Sequence, residues 1–149
     1  MLYLLDTSIM GRFANKSDPS YRVAVLALAE LHRLGDTVFV TPQNFIEFRN
    51  FATRPKKLNG LGFTVAVAER EAGRFESSFP MLPDTPDIFP AWKHIVQTTA
   101  TIGKQVHDAR LVAVCHVHGI THLLTFNTGH FARFANAAPG IVVVDPASV

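Results

Sequence analysis

Short apolar runs recur along this chain, and helix-like segments separate them. Each run is almost continuously hydrophobic, which is typical of strands buried on both faces of a sheet. The predicted strands are Leu2–Leu5, residues 38–40, residues 121–125 and residues 141–144. A further short strand is predicted near residues 79–82, in a stretch that prolines interrupt.

The segments between these runs carry apolar residues at helical spacing, with start and stop signals. Asp18 and Pro19 predict an N-cap and a first helical residue, and Gly35 predicts the end of that helix. Thr41 and Thr64 predict the caps of two further helices, which run to about residues 52 and 78. The remaining helices are predicted around residues 92–96 and over residues 107–118.

Strands that alternate with helices predict an α/β fold of three layers, with a mainly parallel central sheet and helices on both faces. The chain has 149 residues, of which 48% are hydrophobic and 17% charged. Such a composition is typical of a well-packed globular domain. Because no repeat or linker divides the sequence, a single domain over residues 1–149 is predicted.

Charge, cysteine content and targeting signals narrow the function only slightly. The net charge of +2 permits a polyanionic ligand if the basic residues share one face. The single cysteine, Cys115, excludes an internal disulfide and a cysteine-based zinc site, and its apolar surroundings predict an unreactive thiol. No apolar stretch matches a membrane span and no basic leader precedes Asp6, so we expect a cytoplasmic protein without a membrane partner.

Four polar residues of chemical interest lie near the ends of predicted elements. Asp6 ends the first strand, and Glu47 lies in the helix after the second. Asp108 begins the helix before the third strand, and Asn127 follows that strand. Parallel sheets place their ligand crevice at the carboxyl ends of the strands, so all four side chains could meet there. Each also has a structural interpretation, as a turn residue, a helix-dipole partner or a solvated position.

Four segments, in this order, resemble a PIN-domain ribonuclease, and most closely the VapC-type toxins of toxin–antitoxin modules. They are Leu4-Leu5-Asp6-Thr7-Ser8, Gln43-Asn44-Phe45-Ile46-Glu47-Phe48, Asp108-Ala109-Arg110-Leu111 and Leu124-Thr125-Phe126-Asn127-Thr128-Gly129-His130-Phe131. The resemblance spans residues 2–144 and implies a metal-dependent endoribonuclease whose acidic residues are Asp6, Glu47 and Asp108. It also implies a small antitoxin protein as partner and a homodimer.

Two positions depart from the pattern of that family. Asn127 stands at a fourth position that is often acidic, and His130 stands where a further acid is common. We interpret Asn127 as a contact to substrate or to a metal-coordinated water, and the missing charge as weakening a second metal site. His130 is expected to be a structural or substrate-side residue rather than a ligand.

The chemistry of such a site suits Mg²⁺ or Mn²⁺. Carboxylates that converge repel one another, and a hard divalent cation relieves the repulsion. Oxygen ligands and water favour these ions over zinc. Following the resemblance, we assign Asp6 and Asp108 as the main ligands. Glu47 binds the ion through water or orients the attacking water.

Supporting residues are also predicted. The hydroxyls of Thr7, Ser8 and Thr125 are expected to hold the carboxylates in place. An RNA backbone needs nearby cations, and any of several basic residues could contact a phosphate. The candidates are Arg12, Lys16, Arg49, Arg54, Lys56, Lys57, Lys104 and Arg133.

A histidine-based zinc site is one alternative. It would use His116, His118 and His122. However, His118 and His122 lie on either side of Gly119, which ends the predicted helix, so they do not share a regular helical face.

Two further alternatives concern Asp6 and Asn127. A phosphatase of the haloacid dehalogenase type would need a second acid two residues after Asp6, where this chain has Ser8. The alternative from another class is a catalytically weak or inactive PIN-fold module that binds RNA or protein, with Asn127 marking decay of the site. The presence of all three main acids argues against it.

Overall fold

The computed structural model describes every residue from Met1 to Val149 and is organised around one sheet of four strands. The strands are β1 (Leu2–Leu5), β2 (Thr37–Phe39), β3 (His122–Leu124) and β4 (Val142–Val144). Their spatial order is β2-β1-β3-β4, and every neighbouring pair is parallel. The predicted mainly parallel sheet is therefore confirmed.

Seven α-helices connect and follow these strands. They are α1 (Thr7–Ala14), α2 (Tyr21–Arg33), α3 (Pro42–Thr53), α4 (Val65–Ser78), α5 (Ile88–Thr98), α6 (Gln105–His118) and α7 (Thr128–Phe131). None of them combines the length and the apolar character needed to cross a membrane.

The central strand β1 shows why its run is hydrophobic throughout. Successive side chains of a strand point to opposite faces, so Tyr3 and Leu5 pack into one core and Leu4 into the other. In β3, Leu124 packs into the first core and Leu123 into the second. Helices α1 to α4 contribute to the first core and α5 to α7 to the second, which confirms the predicted three-layer α/β fold.

Helix α1 is the main element that the sequence pattern does not predict. It has only eight residues, and Gly11 in its middle lowers the helical propensity. Helix α3 packs closely here: a Cβ atom at this glycine would stand 2.8 Å from Cε1 of Phe51, so a larger residue would require that ring to move. The four-residue α7 is also unpredicted, because it is too short to show a period.

Two of the predictions from the sequence are wrong. Helix α2 begins at Tyr21, because Asp18 closes the preceding turn by accepting a hydrogen bond from the Ser20 amide at 2.8 Å. The strand predicted near residues 79–82 is reduced to one parallel bridge between Val40 and Met81. The prolines on both sides lack an amide donor and so cannot extend the ladder.

Helix α6 carries much of the second core. Its residues 111–115 are all buried, and it begins at Gln105, slightly earlier than predicted. Gly119 ends it with a φ of 66°, as the sequence predicts. Burial raises the pKa of the Cys115 thiol to about 12, which confirms an unreactive cysteine.

Candidate active site

A cleft of about 460 Å³ opens at the edge of the sheet where β1 and β3 end. Asp6 follows β1 directly and Asn127 follows β3, while α3 supplies Glu47 and the first turn of α6 supplies Asp108. All four predicted main residues line this acidic cleft. Thr7 also lines it, at the start of α1.

The Asp6 carboxylate is held in one orientation by two hydroxyls. Ser8 Oγ and Thr125 Oγ1 each donate a hydrogen bond of 2.6 Å to Asp6 Oδ2. Thr125 is fully buried, and its hydroxyl accepts a hydrogen bond from the Asn127 amide at 2.9 Å. Asp6 occupies the N-cap position of α1, but its side chain makes no capping hydrogen bond. Its other oxygen, Oδ1, therefore has no protein donor.

Glu47 is held by hydrogen bonds on both of its oxygens. Thr7 Oγ1 donates to Oε2 at 2.8 Å, and Gln43 Nε2 donates to Oε1 at 2.7 Å. Asn44, which is fully buried, donates from Nδ2 to the Leu5 carbonyl at 3.0 Å and so ties α3 to the end of β1. Glu47 therefore keeps a fixed position, with its side chain 29% exposed.

Asp108 is the least compensated of the three acids. Burial, together with the negative charges of Asp6 and Glu47, raises the pKa of its carboxyl to about 6, against the opposing effect of His130 and His107. No donor of the protein bonds to it, and His130 Nδ1 lies 3.8 Å from Oδ2, beyond hydrogen-bond distance. The three carboxylates are therefore close enough to repel one another.

Only three of the eight predicted basic candidates line the cleft: Arg12, Arg54 and Lys104. Arg12 lies 4.8 Å from the ring centroid of Phe126 and donates to the Ser8 carbonyl at 3.3 Å. The buried Nε of Arg54 has no partner.

The other basic candidates lie outside the lining of the cleft. Arg49 is paired with Glu69 at 2.5 Å on the surface. Arg133 is bonded to the Gln105 side chain and to the Thr99 carbonyl. Lys16, Lys56 and Lys57 are exposed.

The donor set of the cleft fits a hard divalent cation. Its acids offer only oxygen atoms, and the carboxylates of Asp6 and Asp108 keep oxygens that no protein donor occupies. The protein contains no group of three or more acidic, histidine or cysteine side chains that could by themselves hold a metal ion. Coordination at this site would therefore need water or substrate oxygens, which is common for Mg²⁺.

The site contains residues whose roles the sequence did not reveal. Gln43 is buried and connects three groups: Glu47, the His107 carbonyl at 2.8 Å and Arg110 Nη1 at 3.0 Å. The spacing of Gln43 and Glu47, four residues apart on one helix, is the signal that points to their contact. No local signal indicated that His107 would approach Glu47, with Nδ1 4.0 Å from Oε1.

Two of the three histidines of the zinc alternative make other contacts. His118 Nε2 lies 3.0 Å from the Pro83 carbonyl. The ring of His122 lies against Tyr3 with centroids 4.7 Å apart, and its Nδ1 is 2.7 Å from Thr121 Oγ1.

Comparison with known proteins gives a family match. A family model described as PIN domain matches residues 3–137 of this chain. A search of curated proteins with the sequence finds no match.

Solved structures of similar fold include toxin–antitoxin proteins. A chain of VapBC2 from Rickettsia felis, bound to a DNA fragment from its promoter, has a TM-score of 0.71 and 17% identity, and the alignment covers 97% of this chain and 98% of that one. VapC20 from Mycobacterium tuberculosis, described as a sarcin–ricin loop cleaving toxin, has a TM-score of 0.66 and 18% identity over 87% of this chain and 93% of that one. A toxin–antitoxin complex from Klebsiella pneumoniae has a TM-score of 0.63 and 23% identity, with 97% of both chains covered. Because the identities are no higher than 23%, the similarity establishes a shared fold and nothing further.

Proposed function

The chain belongs to the PIN-domain family, and from this premise we propose that it is a metal-dependent endoribonuclease and the toxin of a toxin–antitoxin pair. The observation that carries the proposal is the acidic cleft itself. Asp6, Glu47 and Asp108, from three different elements, line one space together with three cationic side chains. This combination of acidic and cationic side chains suits a reaction at an RNA phosphate, which needs both a cation-binding centre and contacts to the backbone.

Asp6 and Asp108 are the residues that would hold Mg²⁺ or Mn²⁺. Such a cation supplies Lewis-acid stabilisation of the phosphate and lowers the pKa of a water molecule. Asp6 is oriented in advance by the Ser8 and Thr125 hydroxyls, so ordering it on binding costs little. Asp108 has no competing donor and is free to bind.

Glu47 is suited to orienting water. Both of its oxygens already accept a hydrogen bond, and each keeps one lone pair. We therefore assign it to a water-mediated contact or to the base that orients the attacking water. Asn127, at the same cleft, offers an amide for substrate or water, without the charge of a fourth acid.

We propose RNA as the substrate. VapC20, which shares the fold, is described as cleaving the sarcin–ricin loop. In this chain Arg12, Arg54 and Lys104 would contact the phosphates that flank the scissile bond.

A cleavage assay with a matched control tests the nuclease. Purified protein is incubated with single-stranded RNA and Mg²⁺, and the products are resolved on a gel. Asp6→Asn should abolish cutting, whereas Glu76→Gln, which changes an exposed acid of α4 outside the cleft, should cut normally. Equal cutting by both variants would refute the assignment. RNA binding without cutting by the wild type would favour the inactive binding module instead.

The toxin part of the proposal requires an antitoxin. An apolar groove of about 430 Å³ lies between α1, α2 and α4, and its residues include Phe13, Leu28, Phe75 and Phe79. Apolar residues of a small antitoxin protein would cover this groove, while an Arg of its tail pairs with Asp6 or Asp108. We also propose a cytoplasmic homodimer, as the resemblance implies.

Co-expression tests the pairing. The chain is expressed alone and together with the open reading frame immediately upstream. Growth arrest should occur only when the chain is expressed alone, and a small protein should co-purify from the second culture. Equal growth in both cultures would contradict the toxin assignment and leave the nuclease assignment standing.

A further inference from the structure

A second hollow adjoins the acidic cleft and has an aromatic character. Its volume is about 380 Å³, and it lies between the first turns of α5 and α6. The residues that form it include Ile88, Phe89, Trp92, Val106, His107 and Arg110. His107 also lines the acidic cleft, so the two spaces are neighbours that share this residue.

The two aromatic rings of this hollow form a fixed apolar surface. Trp92 Nε1 donates to the Val106 carbonyl at 2.8 Å, which holds the indole in place. The Phe89 ring lies beside it, with centroids 5.6 Å apart and planes inclined by 31°. Phe89 is 65% exposed, although Ile88 and Ile95 of the same helix are buried in the core. Packing in the core therefore does not explain why residue 89 is aromatic.

The polar wall of the hollow is connected to the acidic cleft. Arg110 donates from Nη2 to Asp84 Oδ1 at 2.8 Å and from Nη1 to Gln43 Oε1 at 3.0 Å. The amide group of the same Gln43 donates to Glu47 and to the His107 carbonyl. These bonds fix the polar wall of the hollow relative to Glu47.

We propose that this hollow binds one unpaired nucleobase of an RNA strand whose backbone lies in the acidic cleft. The identity of the strand rests on the proposed function. A base is flat and apolar on its faces, so it stacks on exposed aromatic rings, while its phosphates stay beside cations. Because Trp92 is already ordered, stacking costs little side-chain entropy. Recognition by stacking tolerates different bases, so the hollow strengthens binding more than it selects sequence.

Trp92 is the only tryptophan of the chain and therefore reports directly on the hollow. Wild-type protein in EDTA, and Asp108→Asn in Mg²⁺, are titrated with a short single-stranded RNA under conditions that leave the strand uncut. Tryptophan fluorescence reports stacking, and the anisotropy of a labelled strand reports binding. The intact RNA should quench Trp92, whereas the same backbone made fully abasic should bind more weakly and leave the fluorescence unchanged.

A variant separates stacking from general apolarity. Phe89→Leu keeps an apolar side chain but removes the flat ring, and it should weaken RNA binding about 5- to 150-fold, as expected for one lost base–aromatic stack. Val65→Ala, which alters another highly exposed apolar residue on α4, should leave the affinity unchanged. Phe89→Tyr should retain most of it.

In the titrations, three results would overturn the inference: no RNA binding, binding without quenching, or equal quenching by the abasic strand. A loss of the dimer in Phe89→Leu, seen by light scattering with unchanged RNA affinity, would assign the hollow to a second copy of the chain and would also overturn it. Quenching in a protein that cuts no RNA would support the hollow and contradict the proposed nuclease. Cutting of RNA without quenching of Trp92 would support the proposed nuclease and contradict the base-binding hollow.

Discussion

Replacing Asp108 by Asn should stabilise the metal-free protein near neutral pH. The pKa of Asp108 is raised from 3.8 to about 6, which corresponds to at most about 3 kcal/mol of unfavourable free energy when the carboxyl is ionised. Its side chain is 23% exposed, so solvent screening reduces the value to about 1–2 kcal/mol. Asparagine removes the charge while keeping the shape.

The pH dependence has a defined sign. Above about pH 6 the carboxyl is ionised in the folded and unfolded states, and only the folded state carries the penalty. As the pH falls through about 6 towards 3.8, the folded protein takes up a proton first and the penalty disappears. The increase in the free energy of unfolding caused by Asp108→Asn should therefore reach its full value near pH 7.5 and be close to zero near pH 4.

Urea unfolding in EDTA, followed by circular dichroism, measures this difference. Glu76→Gln is the control, because Glu76 is an exposed acid of α4 outside the cleft, and its stability should stay within about 0.5 kcal/mol of the wild type at both pH values. An Asp108→Asn protein that is no more stable than the wild type near pH 7.5 would refute the reasoning. So would a gain that persists near pH 4.

Three further predictions concern other residues. Ser8→Ala and Thr125→Val each remove one donor to Asp6, and each should lower kcat/KM for RNA cleavage about 10- to 100-fold while circular dichroism shows a native fold. Arg12→Gln should weaken RNA binding and reduce the slope of log affinity against log salt by about 1, and an unchanged slope would exclude a phosphate contact. Gly119→Ala should cost about 1 kcal/mol in urea unfolding, because its φ of 66° disfavours a side chain although the surrounding space is open; no loss of stability would contradict this.

The fold was predictable where hydrophobicity alone determines an element. The short runs around Leu4 and Leu123 identified buried parallel strands, because each strand needs apolar residues on both faces. Helix α1 was not predictable, because its sequence signal is weakened by Gly11, which packs closely against the ring of Phe51, forty residues away. Local propensity cannot report a contact of that kind.

The residues of the candidate site were likewise predictable only in part. Asp6 could be identified from its place at the end of a strand, since the carboxyl edge is where parallel sheets bind ligands. Its partner Thr125 is 119 positions away, and only the resemblance singled it out. Neither spacing nor composition could distinguish Arg12 and Arg54, which line the cleft, from Arg49, which pairs with Glu69. That distinction depends on how the helices pack.

The most direct measurement of the central claim is the metal requirement of RNA cleavage. Wild-type protein, purified free of other nucleases, is stripped with EDTA and then supplied with Mg²⁺ or Mn²⁺, and the cleavage rate is followed on a labelled single-stranded RNA. We predict no cutting in EDTA, recovery with either ion, and no recovery in Asp6→Asn. Full activity of the wild type in excess EDTA would contradict it.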